Sequence, residues 1–170
     1  MLRTSLMLFL LLIGAFCPVR AQETARFESI DSLIASVYSV ISGPAGERDW
    51  GLFQSLFHKD ATMGAVVSHP GKPSVFKKFT PADYIRMNAP FFSKSAFYEK
   101  ELGRKQEVFG NIAHVFSSYE CIPGDGEKER GVNSIQLIRE GGRWYVFSLI
   151  WQEETKEFSL EPHLRQNSRE

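Results

Sequence analysis

Between residues 30 and 41 the apolar positions Ile30, Leu33, Ile34, Val37, Tyr38 and Ile41 recur at the spacing of one helical face. Ser29 stands where an N-cap is needed, and residues 42–46 (SGPAG) stand where the helix must stop. A second, short helix is predicted after Asp49, with Trp50, Phe53, Leu56 and Phe57 on one side. Residues 58–67 read as a turn into a strand, residues 68–74 as a loop with two prolines, and Val75 to Phe79 as a short strand. Thr80-Pro81-Ala82-Asp83 has the form of a helix start, with Thr as cap, Pro where its missing N–H is harmless and Asp placed to answer the cap. This third helix carries Tyr84, Ile85, Met87 and Phe91, and Pro90 is expected to end or kink it.

From Ala96 the period changes from helical to alternating. Four β-rich runs, 96–109, 112–122, 131–140 and 143–153, are separated by Gly-containing breaks, which predicts antiparallel hairpins. Helices first and a meander afterwards give an α+β fold, with three N-terminal helices packed in the concave face of a curved antiparallel sheet (α-α-β-α-β-β-β-β). A sheet curled around helices leaves a cone-shaped cavity, the natural place for a ligand.

Composition alters this picture mainly at the N-terminus. An apolar, Leu-rich stretch too short to span a bilayer leads to Val19-Arg20-Ala21, so residues 1–21 read as an export signal cut after Ala21, with a lipoprotein anchor at Cys17 as the alternative. Residues 22–28 then form a short tether, residues 29–155 one domain, and residues 156–170 a polar tail that adds a strand, wraps an edge or is disordered. The protein is expected outside the cytoplasm, periplasmic or extracellular, with no membrane segment once the signal is gone. Cleavage removes Arg3 and Arg20 but none of the 20 acidic residues, leaving a formal charge of −2. That balance gives no electrostatic reason to expect nucleic acid or an anionic membrane as partner. Cys121 is then the sole cysteine, so packing must supply the stability. No His or Cys spacing suits a metal, and neither a metal nor a cofactor is expected.

The stretches DWGLFQSLFHKDATM, FGNIAHVFSSYE and RGVNSIQLIREGGRWYVFSLIWQEE, with this element order, resemble the nuclear transport factor 2-like (SnoaL-like, cystatin-like cone) superfamily. They look like a subgroup of bacterial members with no established activity. The resemblance spans roughly residues 29–155 and includes, among the superfamily's members, ketosteroid isomerases, scytalone dehydratase and polyketide cyclases. It implies the cone fold and its pocket. The isomerases' catalytic acids would fall at Ala65 and near Ile135, and their helix-one Tyr at Tyr38. Two of the three needed groups are therefore missing, and the dehydratases' His pair is not matched.

Candidate residues follow from the pattern. Tyr38, Trp50, Met63, Tyr84, Met87 and Phe91 come from the elements that close the cone, and Tyr119, Asn133 and Trp151 from strands that face it. Asn133 and Gln136 are three apart on one strand, so at most one lines the cavity. Trp144 and Trp151, seven apart, are expected on opposite faces, with Val146 and Ile150 on one side and Phe147 and Leu149 on the other. A strand apolar on both faces suits a homodimer through the outer face of the sheet, or a strand covered twice within the monomer. His58 and Asp60 are an acid–base candidate pair, set against simple turn hydrogen bonding. Within residues 110–120, His114 and Ser117 point apart, and His114 and Ser118 are too distant to bond, so no nucleophile–base pair lies within that strand. The expectation is a domain that binds a small apolar ligand and matches no known catalytic set. The alternative is a cofactor-independent lyase, isomerase or cyclase using acid–base residues in the same cavity.

Overall fold

A computed structural model describes residues 27–69 and 71–164; the readings on the leader, on residues 22–26 and on residues 165–170 lie outside these. Helix α1 (Ile30–Ile41) starts where Ser29 Oγ accepts the Ser32 N–H at 3.1 Å, and it buries Leu33 and Ile34 completely. Each such side chain contributes roughly 1.5–3 kcal/mol of apolar burial. Phe27, within the stretch read as tether, is also fully buried, and its carbonyl accepts the Trp144 N–H at 2.8 Å. Helix α2 (Trp50–Leu56) is capped by Asp49 Oδ1, which accepts the Leu52 N–H at 2.8 Å. Between them the 42–46 loop is held by Arg48, whose guanidinium donates to the carbonyls of Ile41, Gly43, Pro44 and Gly46. A buried cation is tolerable there because its donors are used.

Strands β1 (Phe57–Val67) and β2 (Val75–Phe79) form a hairpin, and helix α3 (Pro81–Phe92) follows with the Thr80–Asp83 capping box complete. The helix runs two residues beyond Pro90, since a proline so near the C-terminus removes only one bond of the helical ladder. The meander β3 (Phe97–Phe109), β4 (Ile112–Pro123), β5 (Glu129–Glu140) and β6 (Arg143–Glu153) is antiparallel throughout. At the β5–β6 turn Gly141 and Gly142 both take positive φ (58° and 87°), the pattern of a tight type I′ hairpin. The sheet order is β2-β1-β6-β5-β4-β3, and the one parallel join is β1 to β6, where the chain returns after the meander.

The sheet departs from a regular strand at β6. Gln136 pairs with Ser148 but Leu137 pairs with Val146, so Phe147 is an extra residue, a bulge. The inserted residue reverses the alternation. Trp144 and Val146 before it, and Leu149 and Trp151 after it, consequently share the concave face, correcting the expectation that the two tryptophans point apart. Leu137, Val146 and Leu149, all 4% exposed or less, are the product of that bulge. The convex face is partly covered by the chain's own C-terminal segment. Leu160 and Leu164 are each 4% exposed, and Ser118 Oγ donates to the Leu164 carbonyl.

Candidate functional site

The end of α1 is tied to the start of β3. Gly43 and Phe97 exchange backbone hydrogen bonds (2.7 and 2.9 Å), and Ser42 Oγ accepts the Glu99 N–H at 2.9 Å. This junction fixes Glu99 on the concave face, beside Cys121 in register on β4. Around it is a cavity of about 250 Å³. Phe53 of α2, Phe57 and Met63 of β1, and Tyr84, Phe91 and Phe92 of α3 make one wall. Glu99, Tyr119, Cys121, Asn133, Leu149 and Trp151 make the sheet side, and Glu129 and Glu153 border it as well.

Tyr119 can lie across its neighbour strand because its register partner is Gly131. A Cβ at residue 131 would come within 2.5 Å of the Tyr119 hydroxyl. The absent side chain therefore leaves the room that the Tyr119 phenol occupies.

Burial pushes the Glu99 carboxyl up to about 7, and a hydrogen bond from the Asn133 amide partly opposes this. Glu99 keeps accessible surface where it borders the cavity, while protein surrounds it elsewhere. Near neutral pH it therefore exists in both protonation states. Burial, and then the Glu99 charge, push the Cys121 thiol up to about 12, so it is an unreactive thiol rather than a thiolate. Tyr84 and Tyr119 are likewise pushed up, first by burial and then by Glu99, and stay neutral. Glu129 is raised by burial and by nearby Glu153.

Behind the cavity a directional hydrogen-bond chain sets Asn133. Glu101 can only accept, so Ser117 Oγ donates to its Oε1 at 2.6 Å. With its one proton spent, Ser117 must accept from Tyr38 Oη at 2.7 Å, and Tyr38 must accept from Asn133 Nδ2 at 3.2 Å. A flipped Asn133 would set its oxygen against a phenol with no proton left to give. The orientation is thus determined by the network, and it leaves the second amide N–H for Glu99. Arg104 Nε anchors the far end on Glu101 Oε1 at 3.2 Å.

Six of the residues expected from sequence, Met63, Tyr84, Phe91, Tyr119, Asn133 and Trp151, border this cavity. Tyr38 lies one layer behind Asn133, its proton committed to Ser117, and so is not a donor to a ligand. Trp50 is also a layer back, packed on Phe53 and Phe92 at 5.9 and 5.7 Å between ring centroids. Met87 is a correction. It is 53% exposed, because the helical repeat turns it about 60° from the line of Tyr84, Asn88 and Phe91 that faces inward.

His58 and Asp60 do approach, at 3.7 Å, but His58 packs on Tyr145 and Phe147 on the convex side. Its Nδ1 accepts the Asp60 N–H and its Nε2 faces Glu140 at 3.4 Å, so the pair serves local structure. Gln136 is exposed while Asn133 is 5% exposed, as their spacing requires. Ala65 and Ile135, where the isomerases' acids would fall, carry no ionisable group. The carboxyl of this cavity comes instead from Glu99, which the sequence did not single out. Its strand is charged on both faces (Glu99, Lys100, Glu101), so alternation carried no signal.

No family model matches the sequence, and no curated protein matches it. Solved structures do. A nuclear transport factor 2-like protein of unknown function from Pseudomonas putida superposes with a TM-score of 0.59 at 17% identity, covering 84% of this chain and 98% of that one. A cystatin-like-fold protein of unknown function from Nostoc punctiforme gives 0.57 at 11% identity, over 75% and 90% of the two chains. A Streptomyces avermitilis protein of the same fold, proposed to be a dehydratase, gives 0.51 at 15% identity, over 79% and 97%. Identities this low speak to fold alone. With its helices seated in a curved, unclosed six-stranded sheet, the chain has the cone fold of the nuclear transport factor 2-like superfamily.

Proposed function

We propose that the domain binds a small, largely apolar molecule in the cone cavity. The observation carrying this reading is a void of about 250 Å³ walled by aromatic rings, with Glu99, Asn133 and Tyr119 as polar anchors. Pockets of this composition hold ligands by shape and burial, with few polar groups to orient them. Native mass spectrometry of the purified protein tests it, alongside thermal-shift screening with small hydrophobic compounds. Ligand retention or stabilisation is expected, and an Asn88→Trp variant, which narrows the cavity from α3, should lose it while keeping its fold. A clean apo spectrum with no stabilising compound overturns the reading.

Acid–base catalysis is the second reading, and Glu99 favours it. A carboxyl near 7, in a half-open aromatic cavity, is suited to take a proton from a substrate carbon or oxygen and return it at a neighbouring atom. The dehydratase proposal for one neighbour is compatible with such chemistry. A turnover whose pH profile bends near 7, and which Glu99→Gln abolishes, would establish it. Turnover surviving in that variant would remove it.

Two further expectations belong here. Export rests on the sequence of residues 1–21, and N-terminal sequencing of the secreted protein should begin at Gln22. A homodimer through the outer sheet face is supported by Phe116 and Phe147, 39% and 41% exposed there. Light scattering should give twice the monomer mass, and Phe116→Glu with Phe147→Glu should halve it.

A further inference from the structure

Resting on the ligand-binding reading, we propose that the cavity is built for a small organic ammonium ion, an amine on an apolar or aromatic body, rather than for a neutral or anionic molecule. Three carboxylates, Glu99, Glu129 and Glu153, border it, on three different strands. Among the described residues no Lys, Arg or His borders it. The cations closest to Glu129 along the chain are committed elsewhere: Lys128 to Glu120 at 3.2 Å, and Arg130 to Glu154 at 2.8 Å. Glu99 lies within the cavity and Glu129 and Glu153 stand exposed at its edge, and no cationic side chain lining the cavity answers them.

The second observation is independent of the acids. Tyr119 is 4% exposed and borders the cavity, yet its hydroxyl has no hydrogen-bond partner among the described residues. Tyr84, stacked on Phe53 at 5.1 Å, offers a second hydroxyl equally unpartnered there. Buried tyrosines ordinarily place their hydroxyls against a partner, so Tyr119 above all, with half-buried Tyr84 beside it, leaves a hydroxyl open to a group that the protein does not supply. An ammonium has donors for Glu99 and for the phenol oxygens. The faces of Trp151, Tyr84 and Tyr119 also attract a cation through their ring quadrupoles. A carboxylate ligand would meet like charge on the sheet side, and an alcohol would leave the carboxylate charge uncompensated.

Isothermal titration of the full-length protein with 2-phenylethylamine, 2-phenylethanol and phenylacetate at pH 8 tests this. The amine should bind at least ~10-fold tighter than the alcohol, as a charge-assisted contact in a partly dry site predicts, and phenylacetate should bind weakest. In Glu99→Gln the amine should fall to the affinity of the alcohol, while alcohol binding is kept and reports an intact pocket. Equal affinity for amine and alcohol in the unmodified protein overturns the ammonium assignment and leaves the pocket standing. Binding of none of the three overturns both.

Discussion

Glu99 should make this protein less stable as pH rises, and replacing it should abolish that trend. Burial shifts its carboxyl from 4.5 to about 7. Between those values the native state holds a proton that the unfolded chain has released, so stability falls with increasing pH through the window and levels off above it. Each pH unit is worth about 1.4 kcal/mol, which makes the total on the order of 3 kcal/mol. Glu99→Gln keeps the shape and the acceptor for Asn133 but cannot ionise. Urea denaturation of both proteins at pH 4.5, 6 and 8 isolates the effect, because all other titrating groups cancel in the difference. Those that feel the Glu99 charge are Tyr38 on α1, Tyr84 on α3, and Tyr119 and Cys121 on β4, while Glu129 on β5 and Glu153 on β6 border the same cavity. The variant should match the parent at pH 4.5 and exceed it by about 3 kcal/mol at pH 8. If the two curves run parallel across the range, Glu99 is not desolvated and the electrostatic description of the cavity is wrong.

Other parts of the structure make sharper local demands. Arg48→Met leaves the carbonyls of the 42–46 loop without their donor and should cost about 3 kcal/mol in the same assay. Tyr38→Phe breaks the chain between Asn133 and Ser117 and should cost ~1–3 kcal/mol. Gly131→Ala drives a methyl against the Gln152 carbonyl and the Tyr119 hydroxyl, so a loss of ~1–3 kcal/mol is expected together with weaker binding of any cavity ligand. Unchanged stability in any of the three would mean that the contact named is not formed.

Hydrophobic spacing reached the elements because the helices and strands here obey their periods. Ser29, Asp49 and Thr80 cap three helices as their side-chain chemistry suggests, and the meander breaks at its glycines. Periodicity failed where the backbone departs from it. The Phe147 bulge is one residue long, has no compositional mark, and puts Trp151 on the same face as Trp144, where regular alternation predicted opposite faces. Asn133 was legible because an amide on a Val- and Ile-rich strand requires a partner, though the identity of that partner, Tyr38 on a helix 95 residues away in sequence, was not. Glu99 was not legible at all. Its burial comes from the Ser42–Gly43 junction with β3 and from α3 packed over the sheet, tertiary facts that a charged edge strand does not announce.

The same carboxylate supplies a way to tell the classes of ligand apart. At pH 8 the folded protein carries an ionised Glu99 at a disadvantage on the order of 3 kcal/mol relative to water. A cation placed against it recovers part of that disadvantage; a neutral ligand, which displaces water from the same carboxylate, enlarges it. A ligand raises the midpoint of unfolding according to its affinity for the native state alone. Stabilisation by 2-phenylethylamine should therefore grow from pH 5 to pH 8, as Glu99 ionises while the amine remains charged. Stabilisation by 2-phenylethanol should shrink over the same interval. Thermal unfolding at fixed ligand concentration reads both slopes. Slopes of the same sign for the two ligands would mean that Glu99 does not touch what binds, and the ammonium assignment would fall even if the cavity were occupied.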